Sequence, residues 1–123
     1  MSGVFNLPEY DATLLFVTLN KSDKDFSPST QYDDYVINKD YFHWQSKNTD
    51  SHHNRGGRIY TEQPQRHNKI VLFVREEKKD GFGNTCPFHC FGLVDYVSSH
   101  GDFPMNITWK LEKPVMPQYL KVV

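Results

Sequence analysis

Alanine is almost missing from this sequence: Ala12 is the only one in 123 residues. Without the strongest helix former, and with Val, Thr, Tyr and Phe abundant, the chain is expected to build strands rather than helices. Cysteine is nearly as scarce. Cys86 and Cys90 are too few for a disulfide framework and, within one extended segment, are awkward to bridge, which points to a reducing compartment. No apolar run approaches the roughly 18 residues of a membrane helix. The start, MSGVFNLPEY, has neither the basic nor the apolar region of a secretory signal. Net charge is also lacking, at −1. Aromatic residues are not: they make up 15% of the chain, a composition that excludes a disordered polymer. The expectation is a soluble, cytoplasmic protein forming one domain over residues 1–123, with no membrane partner.

The near-zero charge conceals an asymmetry. Residues 1–40 carry three basic against seven acidic side chains, whereas residues 41–79 carry eight against four. That basic middle also holds His43, His52, His53 and His67. A local cationic face is therefore available to an anionic partner, the alternative being a surface on which folding mixes the signs.

Apolar patterning divides the chain into short pieces. Thr13 to Leu19 reads as a buried strand, followed by a polar stretch from Asn20 to Thr30. Gln31 to Ile37 and Asp40 to Gln45 read as extended and aromatic-rich. Ser46 to Gly57 is rich in turn formers and reads as a flexible loop, Arg58 to Thr61 as a short strand, and Gln63 to Asn68 as a polar loop. Ile70 to Val74 is apolar on both faces and is expected at the centre of a sheet. Phe88 to Val97 reads as a strand after a glycine-rich reversal. In Met105 to Leu111, Ile107, Trp109 and Leu111 alternate with polar residues, the signature of one buried face. Six or seven such strands predict a mainly β fold (β or α+β) with few or no helices, a single twisted, partly closed antiparallel sheet or barrel.

Chemistry concentrates at Tyr41-Phe42-His43-Trp44-Gln45-Ser46. In a strand, Phe42, Trp44 and Ser46 point one way and Tyr41, His43 and Gln45 the other, so one set fills a core while the other lines a pocket or groove. Phe42 and Trp44 serve equally well as core. Cys86, Cys90, His52 and His53 invite a zinc reading, but their spacing is not that of a zinc site, and no metal or cofactor is expected. Asp33-Asp34 and Glu76-Glu77 are the tight acidic groups, and neighbours in a strand face opposite ways. With no phosphate-binding, metalloprotease or serine-hydrolase motif, no catalytic residue and no enzyme is expected.

Read together, Tyr32-x-Asp34-Tyr35, Phe42-His43-Trp44-Gln45-Ser46, Gly57-Arg58, Leu72-Phe73-Val74-Arg75-Glu76, Phe88 to Gly92 and Gly101-x-x-Pro104-Met105-x-Ile107-x-Trp109-x-Leu111 stand in one order. Over about residues 10–120 that order resembles a C-terminal domain of unknown function found behind phospholipase-D-type nuclease and superfamily II helicase modules in bacterial proteins. The resemblance implies the specificity module of modification-dependent (type IV) restriction enzymes, similar to SRA or PUA-like domains, in which a curved sheet holds an extruded base. The chain carries neither nuclease nor helicase, so the activity implied is DNA reading alone.

On that reading the partner is double-stranded DNA carrying a modified base, 5-methylcytosine first among the candidates. A nuclease or helicase module in cis or in trans is the second partner. A flipped base needs aromatic faces, an acceptor for its amine and cations for its phosphates. Tyr41, Trp44 and Tyr60 offer the faces, Asp33 or Asp34 with Gln45 the base edge, and His43 and Ser46 complete the pocket. Lys47, Arg55, Arg58, Arg66 and Lys69 offer phosphate contacts. The alternative is a protein-interaction or small-ligand module docking to such a nuclease or helicase.

Overall fold

The computed structural model describes residues 3–20 and 34–120. Among these residues seven strands form one sheet in the order β1-β2-β5-β6-β7-β4-β3: β1 (Gly3–Leu7), β2 (Ala12–Asn20), β3 (Tyr35–Val36), β4 (Tyr41–Gln45), β5 (Lys69–Glu77), β6 (His89–His100) and β7 (Asn106–Leu111). The mainly β expectation holds. The sheet is open rather than closed, and it is mixed, because β2 and β5 run parallel with Leu15 opposite Leu72 and Val17 opposite Val74. A parallel neighbour needs a long crossover, which local patterning does not reveal. Among the described residues no helix is long and apolar enough to cross a membrane.

The register puts Leu15, Val17, Ile70, Leu72, Val74, Val94, Leu111, Trp109, Ile107, Phe42 and Trp44 on one inner face. All are buried. On the outer face Phe16 stacks on Phe73 at 4.9 Å, Tyr35 on His43 at 4.6 Å, and Phe5 stands 52% exposed. Ile70 to Val74 thus lies in the interior of the sheet, as its pattern predicts.

Two helices correct the sequence reading. Arg58 to Thr61 is not a strand but the end of α1 (Arg55–Thr61), and the polar loop expected at Gln63–Asn68 holds α2 (Gln63–Arg66). Asn54 caps α1, its side chain accepting from Gly57 N–H at 3.0 Å, while Tyr60 anchors it in the core at 2% exposure. Capping and one buried ring outweigh the strand preference of Ile59 and Tyr60. Nor is Ser46 to Gly57 a loose loop: its last residues belong to α1 and Asp50, Ser51 and Gly57 are buried. The C-terminal stretch makes a 3-10 turn at Pro117–Tyr119 that buries Tyr119 against Phe91. Asp33, and all but Asn20 of the Asn20–Thr30 stretch, lie outside the described residues.

Candidate functional site

β4 and β7 are neighbours, with Phe42 opposite Trp109 and Trp44 opposite Ile107, so the alternation of both strands brings Trp44 and Trp109 to the same face. α1 lays Tyr60 across them. The Tyr60 ring lies edge-on to Trp44 at 5.1 Å and to Trp109 at 6.2 Å; Trp44 and Trp109 are 6.3 Å apart, and Tyr96 from β6 stands edge-on to Trp109 at 6.3 Å. Such geometries match ring edge to ring face. Four aromatic rings from three strands and a helix thus meet at one end of the core.

The segment from Ser46 to Asn54 packs beside this cluster and is held by its own polar groups. Asn54 accepts from Ser51 N–H at 3.1 Å and donates to Thr49 O at 2.8 Å; Phe103 N–H donates to Asp50 O at 2.9 Å. Its fit on α1 is tight. A Cβ on Gly57 would meet Ser51 O at 1.8 Å and Met105 Sδ at 2.6 Å, so only glycine permits this approach.

Two polar atoms here are buried without a hydrogen-bond partner: Asp50 Oδ2 and Trp109 Nε1. One is an acceptor and the other a donor, and both belong to almost fully buried residues, Asp50 at 3% and Trp109 at 0% exposure. Orphaned polar atoms at such depth are rare and costly. Burial raises the Asp50 carboxyl above its ordinary pKa, partly offset by the Lys47 charge and by a backbone hydrogen bond at Lys47. Burial, followed by the Asp50 charge, pushes the Tyr60 hydroxyl up as well. Asp50 therefore lies within electrostatic reach of Tyr60, whose ring borders Trp109.

The residues singled out in the sequence divide between the two faces of the sheet. Trp44, Ser46 and Tyr60 lie together on the inner face and are buried. Tyr41, His43 and Gln45 lie on the outer face opposite Lys110, Thr108 and Asn106. There Gln45 N–H donates to Asp34 Oδ1 at 2.8 Å, and its side-chain amide to Asn106 Oδ1 at 3.0 Å. Strand alternation keeps these residues out of the cluster. Lys47, Arg55 and Arg58 are exposed on the Ser46–Asn54 segment and α1. Arg66 instead pairs with Glu62 at 3.0 and 2.8 Å, and Lys69 lines a separate cleft of about 280 Å³ between α2 and β6. Asp50, Trp109 and Tyr96 were not anticipated as site residues. Trp109 was legible as buried, but its approach to Trp44 depends on a strand pairing across more than sixty residues. Among the described residues no three His, Cys, Asp or Glu side chains gather as a metal site.

Residues 1–122 match the model of a family described as a domain of unknown function, DUF3427. No curated protein matches the chain.

Proposed function

The chain belongs to the DUF3427 family, and we propose that it is a non-catalytic DNA-reading module that takes a flipped, modified base, 5-methylcytosine first among the candidates, into the Trp44–Tyr60–Trp109 cluster. The observation that carries this reading is two orphaned buried atoms: Trp109 Nε1, whose indole borders Tyr60 and Trp44, and Asp50 Oδ2, whose charge reaches Tyr60. Cytosine presents an amino donor beside ring acceptors, the complement of a carboxylate and an indole N–H. Lys47, Arg55 and Arg58 supply positive charge on the neighbouring surface, where flanking phosphates would lie.

The rings fill the cluster in the present structure, so a base enters by displacing the segment that follows Ser46. Flipping costs a few kcal/mol, and stacking returns roughly 1–3 kcal/mol per base. Burying one methyl contributes only about 0.8 kcal/mol, roughly fourfold. The expected preference for the methylated base is therefore modest, up to roughly 1–3 kcal/mol in a tight pocket.

Anisotropy titration of matched methylated and unmodified duplexes tests the reading. Tighter binding of the methylated duplex is expected, and Trp109→Phe, which keeps a ring but removes the N–H, should narrow the gap. Equal affinity for both duplexes removes the modification claim.

A second reading is favoured by the outer face, where Phe5 is 52% exposed and stands edge-on to Phe16, which stacks on Phe73. A nuclease or helicase module docking there would be captured without DNA and insensitively to salt.

A further inference from the structure

Outside the aromatic cluster, three side chains from separate segments line up. Ser99 lies on β6, His52 in the segment before α1, and Asp102 in the turn between β6 and β7. His52 Nε2 is 2.7 Å from Ser99 Oγ, and His52 Nδ1 is 2.8 Å from Asp102 Oδ1. The His52 backbone N–H also donates to Asp102 Oδ1, at 2.7 Å. Tyr96 OH lies 2.7 Å from Ser99 Oγ on its other side.

The directions of these bonds follow from chemistry. The His52 backbone N–H, and after it the His52 side chain, hold the Asp102 carboxyl below its ordinary pKa, so it is ionised and only accepts. His52 Nδ1 must then carry the proton. In the neutral imidazole this leaves the Nε2 lone pair facing the Ser99 hydroxyl, while the Tyr96 hydroxyl donates to Ser99 Oγ from behind. A hydroxyl that gives its proton to a histidine oriented by a carboxylate is the arrangement of an activated serine. The group is reachable: the His52 and Asp102 side chains are 29% and 35% exposed, and Ser99 is half-buried. Phe103, 62% exposed, stands next to Asp102 and offers an apolar surface to an acyl group.

We propose that Ser99 is an activated nucleophile and that this corner of the domain is a serine-type acyl-transfer site for small activated esters. Ser99 Oγ adds to the ester carbonyl carbon as its proton passes to His52 Nε2. Collapse of the tetrahedral adduct breaks the bond to the alkoxy or aryloxy group, which leaves with that proton. Water then adds to the acyl-Ser99 carbonyl, giving a proton to His52 Nε2. The second collapse breaks the acyl–Oγ bond, returns the proton to Ser99 and releases the carboxylic acid. Ser99 and His52 are the catalytic residues; Asp102 acts through His52 and is a positioning residue. This activity would be additional to base reading, which itself needs no catalysis; the two sites touch through His52, in the segment beside the cluster, and through Tyr96, whose ring borders Trp109.

The probe is p-nitrophenyl acetate, added to the whole chain, with nitrophenolate release followed in time and acetyl groups located by peptide mass spectrometry. Ser98 is an exposed neighbour and an internal control. Ser99 should be acetylated at least about tenfold faster than Ser98, and His52→Gln should remove that advantage, as general-base assistance of this kind contributes typically 10²–10⁴-fold. The rate at Ser99 should follow a one-proton pH curve that His52→Gln abolishes and Asp102→Asn displaces. Equal labelling of Ser98 and Ser99 in the wild-type chain overturns the proposal without any variant, and so does an unchanged Ser99 rate in a folded His52→Gln.

Discussion

Ser46 and Met105 bind each other from both sides: Ser46 N–H donates to Met105 O at 3.0 Å, and Met105 N–H donates to Ser46 Oγ at 2.9 Å. This clamp joins the end of β4 to the start of β7. Any displacement that admits a ligand to the aromatic cluster therefore begins beyond Ser46. Ser46→Ala strands a buried Met105 N–H and is expected to destabilise the domain by about 1–3 kcal/mol, measurable by urea unfolding.

The cap of α1 and its glycine make a contrasting pair. Asn54→Ala loses one side-chain acceptor for Ser51 and Gly57 N–H and should cost about 1–2 kcal/mol without changing the fold. Gly57→Ala drives a methyl into Ser51 O and should cost more, because backbone must move. Thermal melting that ranks the two the other way would contradict this packing.

Asp50 and Asp102 should give opposite dependences on pH. Burial raises the Asp50 carboxyl, so the folded chain binds that proton more readily than the unfolded one. Its contribution is most favourable in acid and is lost as pH rises through its folded value. Asp102 is lowered by the His52 backbone N–H and then by the His52 side chain, so its contribution is present at neutral pH and lost as pH falls. Urea unfolding across pH should therefore find Asp50→Asn gaining on the wild type as pH rises, and Asp102→Asn losing ground over the same interval.

On the proposed DNA-reading function, the basic side chains should not contribute equally. Lys47→Ala, Arg55→Ala and Arg58→Ala are each expected to weaken binding to every duplex and to lower the salt slope by about 1. Arg66→Ala should do less, since its guanidinium already bonds Glu62. Affinities measured at several salt concentrations would separate them.

Arg75 is 3% exposed, donates to Thr18 Oγ1 at 2.9 Å and to Cys86 O at 3.1 Å, and covers the Phe88 ring at 4.2 Å. A planar fork serves these contacts together, whereas an ammonium does not. Arg75→Lys should therefore restore little of the stability lost in Arg75→Ala, a loss of about 2–4 kcal/mol by chemical denaturation.

Local pattern carried much of this fold. The alternation of Ile107, Trp109 and Leu111, the apolar run at Ile70 to Val74, and the division of Trp44 from His43 all follow from strand period. Helix α1 escaped it because Gly56, Gly57, Ile59 and Tyr60 are poor helix residues, and their helix depends on Asn54 and on burial of Tyr60. The cluster itself was half legible. Trp44 and Tyr60 stood out as aromatic candidates, but Asp50 sits among turn formers and becomes notable only once buried.

The position of β7 has a temporal consequence. It lies between β6 and β4, although it follows both along the chain. Until the ribosome has released Asn106 to Leu111, β4 has no neighbour on that side, Trp44 has no Trp109, and Ser46 has no Met105 to hold. The aromatic cluster thus forms after the rest of the sheet has been made, assembled by closing a gap within a sheet already begun.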